Sequence, residues 1–542
     1  MTKALSCILL LTFIILIPGM SERAFITRGE AREALVMQSI VRDGAWILPQ
    51  GYSETIPSKP PLLHWLAAGA SLITGEVTEF SARIPSALAA ATTLLALFLF
   101  VHYRLGLSYA WWSCLVLLTS FEFLRAGSIA RVDMVLTATF TLGVIALFRW
   151  YEANLKKIPL SVIAAFTAAT YAKGPVAIVL PAMLFALFLV IRQKSLASIV
   201  TASLKVWLPT VILASAWYIA AHLHGGERFF EKVWYENVQR MSGTMEDEPH
   251  KHSIFYLLGV LFMGLAPWSI LCGAQCRLRW SSTALRAQFE RFKSSPALWQ
   301  FTWIFALGIT LFFCIPSSKR GVYLLPAYPW YALLVSTLVI HNVPGRVSRY
   351  FVITSAALFS VLGVAGIGVA TGITSLEVFL SSARFTKVLP YYRELLSGMY
   401  YGALWFWSIA ACGIAVYAYG KRATRYAPVL VTLFGALFVN VGLLVPLNNA
   451  VSPQQFAQET IATLPPDKKL FSFATEFYGV AFYSHRQIYR TELFEAHPGD
   501  LILVYDDDLE KLKKRYNVVV RTQSSNPIGE VDRIIIVTEV VS

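Results

Sequence analysis

Apolar residues in this chain gather in runs long enough to cross a lipid bilayer, and polar residues collect in the intervals between them. A hydrocarbon core needs about 20 apolar residues in helical form. On that measure the sequence predicts thirteen spans, near residues 4–20, 82–101, 108–124, 134–150, 158–172, 175–191, 206–223, 254–275, 298–315, 322–341, 350–372, 400–419 and 427–446. The interval at 21–81 has a pattern of its own. Thr27-x-x-Glu30 has the spacing of a capping box, which starts a helix near Arg28. Val36, Met37, Ile40 and Val41 then recur at helical spacing among polar Arg32, Glu33, Gln38, Arg42 and Asp43, and Gly44 is a natural stop. Pro60-Pro61 opens a second helix that Gly75 ends. Both are too short to span hydrocarbon and are expected to lie along the membrane surface as amphipathic helices.

Beyond residue 446 the pattern becomes that of a water-facing α/β unit. An amphipathic helix is expected over 452–464, strands over 469–473, 480–483, 501–505, 518–521 and 533–537, and a further helix over 508–516. The fold class read from these patterns is mainly α: a polytopic bundle over 1–446 and a small α/β domain over 447–542.

Composition agrees with a membrane protein. The 542 residues are 56% hydrophobic and only 14% charged, against about a quarter charged in soluble proteins. Residues 447–542 hold ten Lys/Arg and thirteen Asp/Glu, so the preceding part carries +17 of the net +14. No basic run with interleaved aromatics points to nucleic acid. With thirteen spans, alternate loops hold Lys3, Arg104, Lys156, Lys157, Arg192, Lys194, Arg291, Lys293, Arg346, Lys421 and Arg422, opposed there only by Glu152 and Glu290. That asymmetry puts the N-terminus in the cytoplasm and the C-terminal part in the periplasm of a bacterial inner membrane. The six cysteines lie in or beside apolar runs, without a Cys-x-x-Cys, so neither a disulfide framework nor a zinc motif is expected.

The candidate chemistry falls in loops on the outer side. Glu30 and Asp133 are the candidate catalytic carboxylates. Arg32, Lys59, Arg131, Lys173, Arg240, Lys319 and Arg320 break the positive-inside pattern, and binding an anionic phosphate gives them a reason to do so; His250 is a further candidate for the donor site. His252 reads as a loop residue. Asp506-Asp507-Asp508 reads as a strand end followed by a helix cap.

Several stretches then carry a family resemblance: GEAREA (29–34), GAWILP (44–49), SKPPLLHW (58–65), ARIPSAL (82–88), ARVDM (130–134), AKGPV (172–176), ENVQR (236–240), GLAPW (264–268) and SKRGVYLLPAYP (318–329). In order and spacing they resemble the C-type multi-spanning glycosyltransferases, in the branch of bacterial aminoarabinose–lipid A transferases related to protein O-mannosyltransferases. The resemblance implies an inverting transfer of a sugar from a polyprenyl-phosphate donor, on the outer face, with no nucleotide. The implied acceptor is lipid A or another periplasmic glycolipid, and the implied partners are the lipid-linked sugar and the surrounding membrane lipids, with the chain acting as a monomer. Protein O-glycosyl transfer is the neighbouring alternative. A non-catalytic transporter or lipid-binding protein is the alternative from another class, and it should place ionisable residues at mid-span.

The family's first loop commonly reads Asp-Glu-x-Arg, with the Asp catalytic. Here Gly29 stands in place of that Asp and Glu30 is the remaining acid. The family Glu before Lys-Pro, which helps bind a metal in some members, is Ser58 here. If a divalent metal ion takes part, Glu30 and His250 are the candidate ligands.

Overall fold

The computed structural model describes every residue except 58, 237–250, 274–289, 343–345, 371–408, 419–423, 526–527, 529–532 and 542. Ten helices lead from the N-terminus: α1 (Thr2–Leu16), α2 (Arg28–Asp43), α3 (Leu62–Thr74), α4 (Glu79–Leu105), α5 (Leu107–Leu118), α6 (Phe121–Gly127), α7 (Val132–Glu152), α8 (Leu160–Lys173), α9 (Val176–Ile191) and α10 (Leu196–Trp234). By length and composition, six of the described helices can cross a membrane, or seven if α5 and α6, bent by 69°, form one span. The expected count of thirteen is reached only in part. Several of the remaining apolar runs form helices of 10–17 residues, among them α1, α8 and α9.

The first polar interval folds as its local signals dictate. Thr27 caps α2, its hydroxyl accepting from the Glu30 amide at 3.2 Å, and Gly44 closes the helix in the left-handed region at φ 67°. Such a conformation suits glycine, which has no Cβ to clash. Only half of the capping box forms, because the Glu30 side chain turns away to Arg83. α3 starts after Pro61 and stops at Gly75, also left-handed. α4 packs on α5 and α7, α7 on α8, and α2 on α3, so residues from distant parts of the chain meet at the N-terminal ends of α4 and α7.

The C-terminal residues hold a five-stranded sheet, in the order β2-β1-β3-β5-β4, built from β1 (Leu470–Ser472), β2 (Ile488–Arg490), β3 (Leu501–Tyr505), β4 (Val518–Gln523) and β5 (Ile535–Val540). β1 runs parallel to β2 and β3, and β5 runs antiparallel to β3 and β4. Residues 480–483, expected as a strand, lie in a helix over Tyr478–Ser484. The parallel pairing of β1 with β2 needs a crossover between them, and this helix supplies it. A short apolar run does not declare its period, and β2 itself was not anticipated for the same reason.

The crossover helix docks the sheet onto the first polar interval. The Phe25 amide donates to Tyr483 Oη at 2.7 Å, Tyr483 Oη donates to Glu79 at 2.7 Å, and the Gln38 side-chain amide donates to the Phe482 carbonyl at 3.3 Å. Asp507 and Asp508 pair with Arg533 at 3.2 and 3.6 Å, and Asp508 also takes Lys511 at 2.8 Å, which is a local structural use for the acidic triplet.

Candidate active site

Glu30 sits at the centre of a buried knot. Arg83, on α4, donates from Nε to Glu30 Oε1 at 2.8 Å and from Nη2 to Oε2 at 3.2 Å, and the Ala130 amide donates to Oε1 at 2.9 Å. Arg83 also donates to the Met20 carbonyl at 2.8 Å, and its guanidinium lies 4.8 Å from the centre of the Phe25 ring. Arg83 is wholly buried and Glu30 nearly so. Burial pushes the Glu30 carboxyl up, but the charge and hydrogen bonds of Arg83, helped by Arg23 and the Ala130 amide, outweigh it and hold the group below the usual carboxylate range. The knot ties α2 to α4, to the segment before α2 and to the loop before α7. Arg83 thus bonds both Glu30 oxygens, and the Ala130 amide adds a second donor at Oε1.

A second cluster surrounds Asp133, in the first turn of α7. Lys173, from the C-terminus of α8, donates to Asp133 Oδ1, and Arg131 Nε lies 3.6 Å from Oδ2. Lys173 also lies 4.5 Å from the centre of the Tyr323 ring. Lys59 is close enough for its charge to act on Asp133, and it pairs with Glu236 at 3.8 Å. Lys232 pairs with Glu236 from the other side at 3.9 Å.

Gly29 belongs to this cluster as well. A Cβ built there would fall 2.6 Å from Arg131 Nη1, so the Arg131 guanidinium fills the space that a side chain at position 29 would take.

One turn along α2 from Gly29, and on the same face, stands Glu33. Arg32 donates to Glu33 Oε1 at 2.7 Å, and His64 Nε2 lies 2.8 Å from Oε2. An ionised Glu33 accepts only, so Nε2 carries the proton. Burial pushes the Glu33 carboxyl up, but the charge of Arg32 and the hydrogen bond of His64 hold it well below the usual range. Arg32 in turn feels the charge of Glu236, which makes the whole array continuous.

Of the expected site residues, Asp133, Arg131, Lys173, Lys59 and Arg32 come together. Lys319 is buried near Tyr323, where it donates to the carbonyls of His252 at 3.0 Å and Ser317 at 3.5 Å; no carboxylate pairs with it among the described residues. The chain around it is set by pairing of Lys251 with Ser318. Arg320 precedes the short helix that carries Tyr323. Arg240 and His250 lie outside the described residues.

Arg83, Glu33 and His64 are not among the site residues expected from the sequence. Arg83 and His64 lie in the quoted motifs ARIPSAL and SKPPLLHW, but neither motif shows which carboxylate its basic residue meets. Among the described residues no three His, Cys, Asp or Glu side chains converge as metal ligands. Glu30, a candidate ligand from the sequence, is turned to Arg83.

Comparisons with known proteins agree with the motifs. The sequence profile of the dolichyl-phosphate-mannose-protein mannosyltransferase family matches residues 58–219. An undecaprenyl phosphate-alpha-4-amino-4-deoxy-L-arabinose arabinosyl transferase of Pectobacterium carotovorum is 26% identical over 386 residues, 69% of this chain and 66% of the relative. The enzyme of the same name from Aeromonas hydrophila is 25% identical over 60% of this chain. The chain thus spans less than two thirds of the length of these two relatives, 66% and 57%. The crystal structure of ArnT from Cupriavidus metallidurans bound to undecaprenyl phosphate superposes with a TM-score of 0.73 at 18% identity, covering 100% of this chain and 98% of that one. In sequence the chain is similar to the bacterial aminoarabinose transferases, and its fold is that of the ArnT structure.

Proposed function

We propose that the protein is an inverting glycosyltransferase that takes a sugar from polyprenyl phosphate, of the undecaprenyl class, and passes it to a periplasmic acceptor. The observation that carries this reading is the charge around Asp133. Five cations, Arg32, Lys59, Arg131, Lys173 and Lys232, face three carboxylates, Glu33, Asp133 and Glu236. A surplus of positive charge at one end of an apolar bundle suits a phosphate on an isoprenoid tail. It also disfavours the transporter reading, which needs its ionisable residues at mid-span.

Lys59, Arg131 and Lys173 hold the donor phosphate, with Lys319 and Arg320 at the edge of the array. The acceptor oxygen attacks the anomeric carbon, the bond from that carbon to the phosphate oxygen breaks, and the phosphate leaves on its lipid with its charge already met. Asp133 keeps Lys173 and Arg131 aimed at it. A phosphate acceptor, such as lipid A carries, needs no base. A hydroxyl acceptor must lose its proton, and Asp133 is the carboxylate among these cations that can take it.

Comparing lipid A and periplasmic glycans by mass spectrometry, from cells with and without the gene, tests the reading. A sugar-sized mass lost with the gene and restored by purified protein plus lipid-linked donor supports it; no change in either fraction sinks it. Lys59→Ala should weaken donor binding by about 1.5–3 kcal/mol, the worth of a hydrogen bond to a charged group, with Lys59→Arg a partial rescue because guanidinium and ammonium bind phosphate with different geometry. Equal polyprenyl phosphate affinity in Lys59→Ala and wild type would remove Lys59 from the clamp. The proposed orientation has its own check. Reporter fusions after Glu290 should behave as cytoplasmic and those after Ser524 as periplasmic, and finding both on one side would overturn it.

A further inference from the structure

We propose that the opposite end of the helical bundle carries a seat for the headgroup of an anionic phospholipid, separate from the donor site. Twenty-two residues of α4 separate Arg83, in the knot, from Leu105 at the far end, which is about 33 Å at 1.5 Å per residue. There α1, α5 and the segment before residue 427 line an open cavity of about 640 Å³, and its lining includes Lys3, Ser108, Trp111, Trp112, Arg425 and Tyr426. Among the described residues the lining holds two cations and no acidic residue. Neither Lys3 nor Arg425 has a carboxylate partner among the described residues. Arg425 lies 6.0 Å from the centre of the Trp112 ring and 5.8 Å from that of Tyr426, and the two rings are 4.7 Å apart, so the aromatic wall sets the position of the guanidinium.

The surface leading away from the cavity selects a lipid over a soluble anion. Lys3, Cys7, Leu10 and Ile14 stand at i, i+4, i+7 and i+11 on α1 and therefore share one face. Lys3 and Cys7 line the cavity. Leu10 and Ile14 continue that face and are 60% and 44% exposed. A cationic pocket that runs into an uncovered apolar track matches a phosphodiester that runs into an acyl chain. Basic pockets between membrane helices bind acidic headgroups by the same logic. The indole and phenol rings suit the boundary between the two.

The test uses the full-length protein and phosphatidylglycerol as probe. Native mass spectrometry should show the wild type retaining phosphatidylglycerol in preference to phosphatidylcholine, and phosphatidylglycerol should raise its thermal midpoint where phosphatidylcholine and inorganic phosphate do not. Lys3→Gln/Arg425→Gln should bind phosphatidylglycerol roughly thirtyfold more weakly with an unchanged midpoint in lipid-free detergent. Lys59→Ala should retain phosphatidylglycerol as wild type does, which separates this seat from the donor phosphate site. Equal retention of the two lipids by the wild type would overturn the proposal on unmutated protein alone. So would undiminished retention in the double variant, loss in Lys59→Ala, or equal stabilisation by inorganic phosphate.

Discussion

Glu30→Gln protein is expected to lose stability by about 3–5 kcal/mol, the usual cost of removing one partner of a buried ion pair. The substitution leaves the Arg83 guanidinium, itself wholly buried, without its counter-charge. Gln can still accept at one oxygen, but the paired acceptance from Arg83 is lost, and the amide brings two donors into a knot already full of them. The measurement is the thermal midpoint of purified protein in one detergent, beside sugar transfer at a temperature where both proteins stay folded. A midpoint equal to wild type with transfer abolished would return Glu30 to the reacting centre.

Acid gives the same test without mutation. Glu30 and Glu33 are both held below the ordinary carboxylate value of 4.5 in the folded protein. Their contribution is therefore fully present above that value and is lost as pH falls through the folded values. Wild type should lose its midpoint steeply on acidification below about 4.5, and Glu30→Gln should lose less.

Asp133→Asn is expected to lower sugar transfer by about 10²-fold or more, the scale seen when a preorganised charged contact at a reacting centre is removed. Asn keeps the shape but gives up the charge that holds Lys173 and Arg131 in place. The fall should appear in kcat more than in KM, because both cations remain available to bind the donor phosphate loosely. The pH profile separates the two acceptor classes. If Asp133 takes a proton from a hydroxyl acceptor, the acidic limb of the wild-type profile disappears in Asp133→Asn; if the acceptor is a phosphate, the limb stays and only the height changes. Near wild-type transfer by Asp133→Asn would show that this cluster does not run the reaction.

How much of this was open to reading from the chain alone depends on how far apart the interacting groups lie. The limits of α2 and α3 followed from Thr27, Gly44, Pro61 and Gly75, because caps and left-handed stops act within a turn or two of the backbone. The apolar runs declared a helical membrane protein, because burial in hydrocarbon demands length and composition rather than any particular partner. The gathering of basic residues in loops expected to face outward is what pointed to the phosphate site proposed above, because net charge needs no partner to be legible.

What only the tertiary structure decided is which carboxylate meets which cation. The sequence does not show that Glu30 meets Arg83, fifty-three positions along the chain, which bonds both its oxygens. Gly29 reads as a missing side chain until Arg131 is seen to fill its place. The helix over Tyr478–Ser484 reads as a strand until β1 and β2 are found parallel and in need of a crossover. In each case the local pattern fits more than one outcome, differing by little in free energy. The choice falls to contacts between segments far apart in sequence, where the cost of an unpaired buried charge or an unsatisfied backbone far exceeds any local preference.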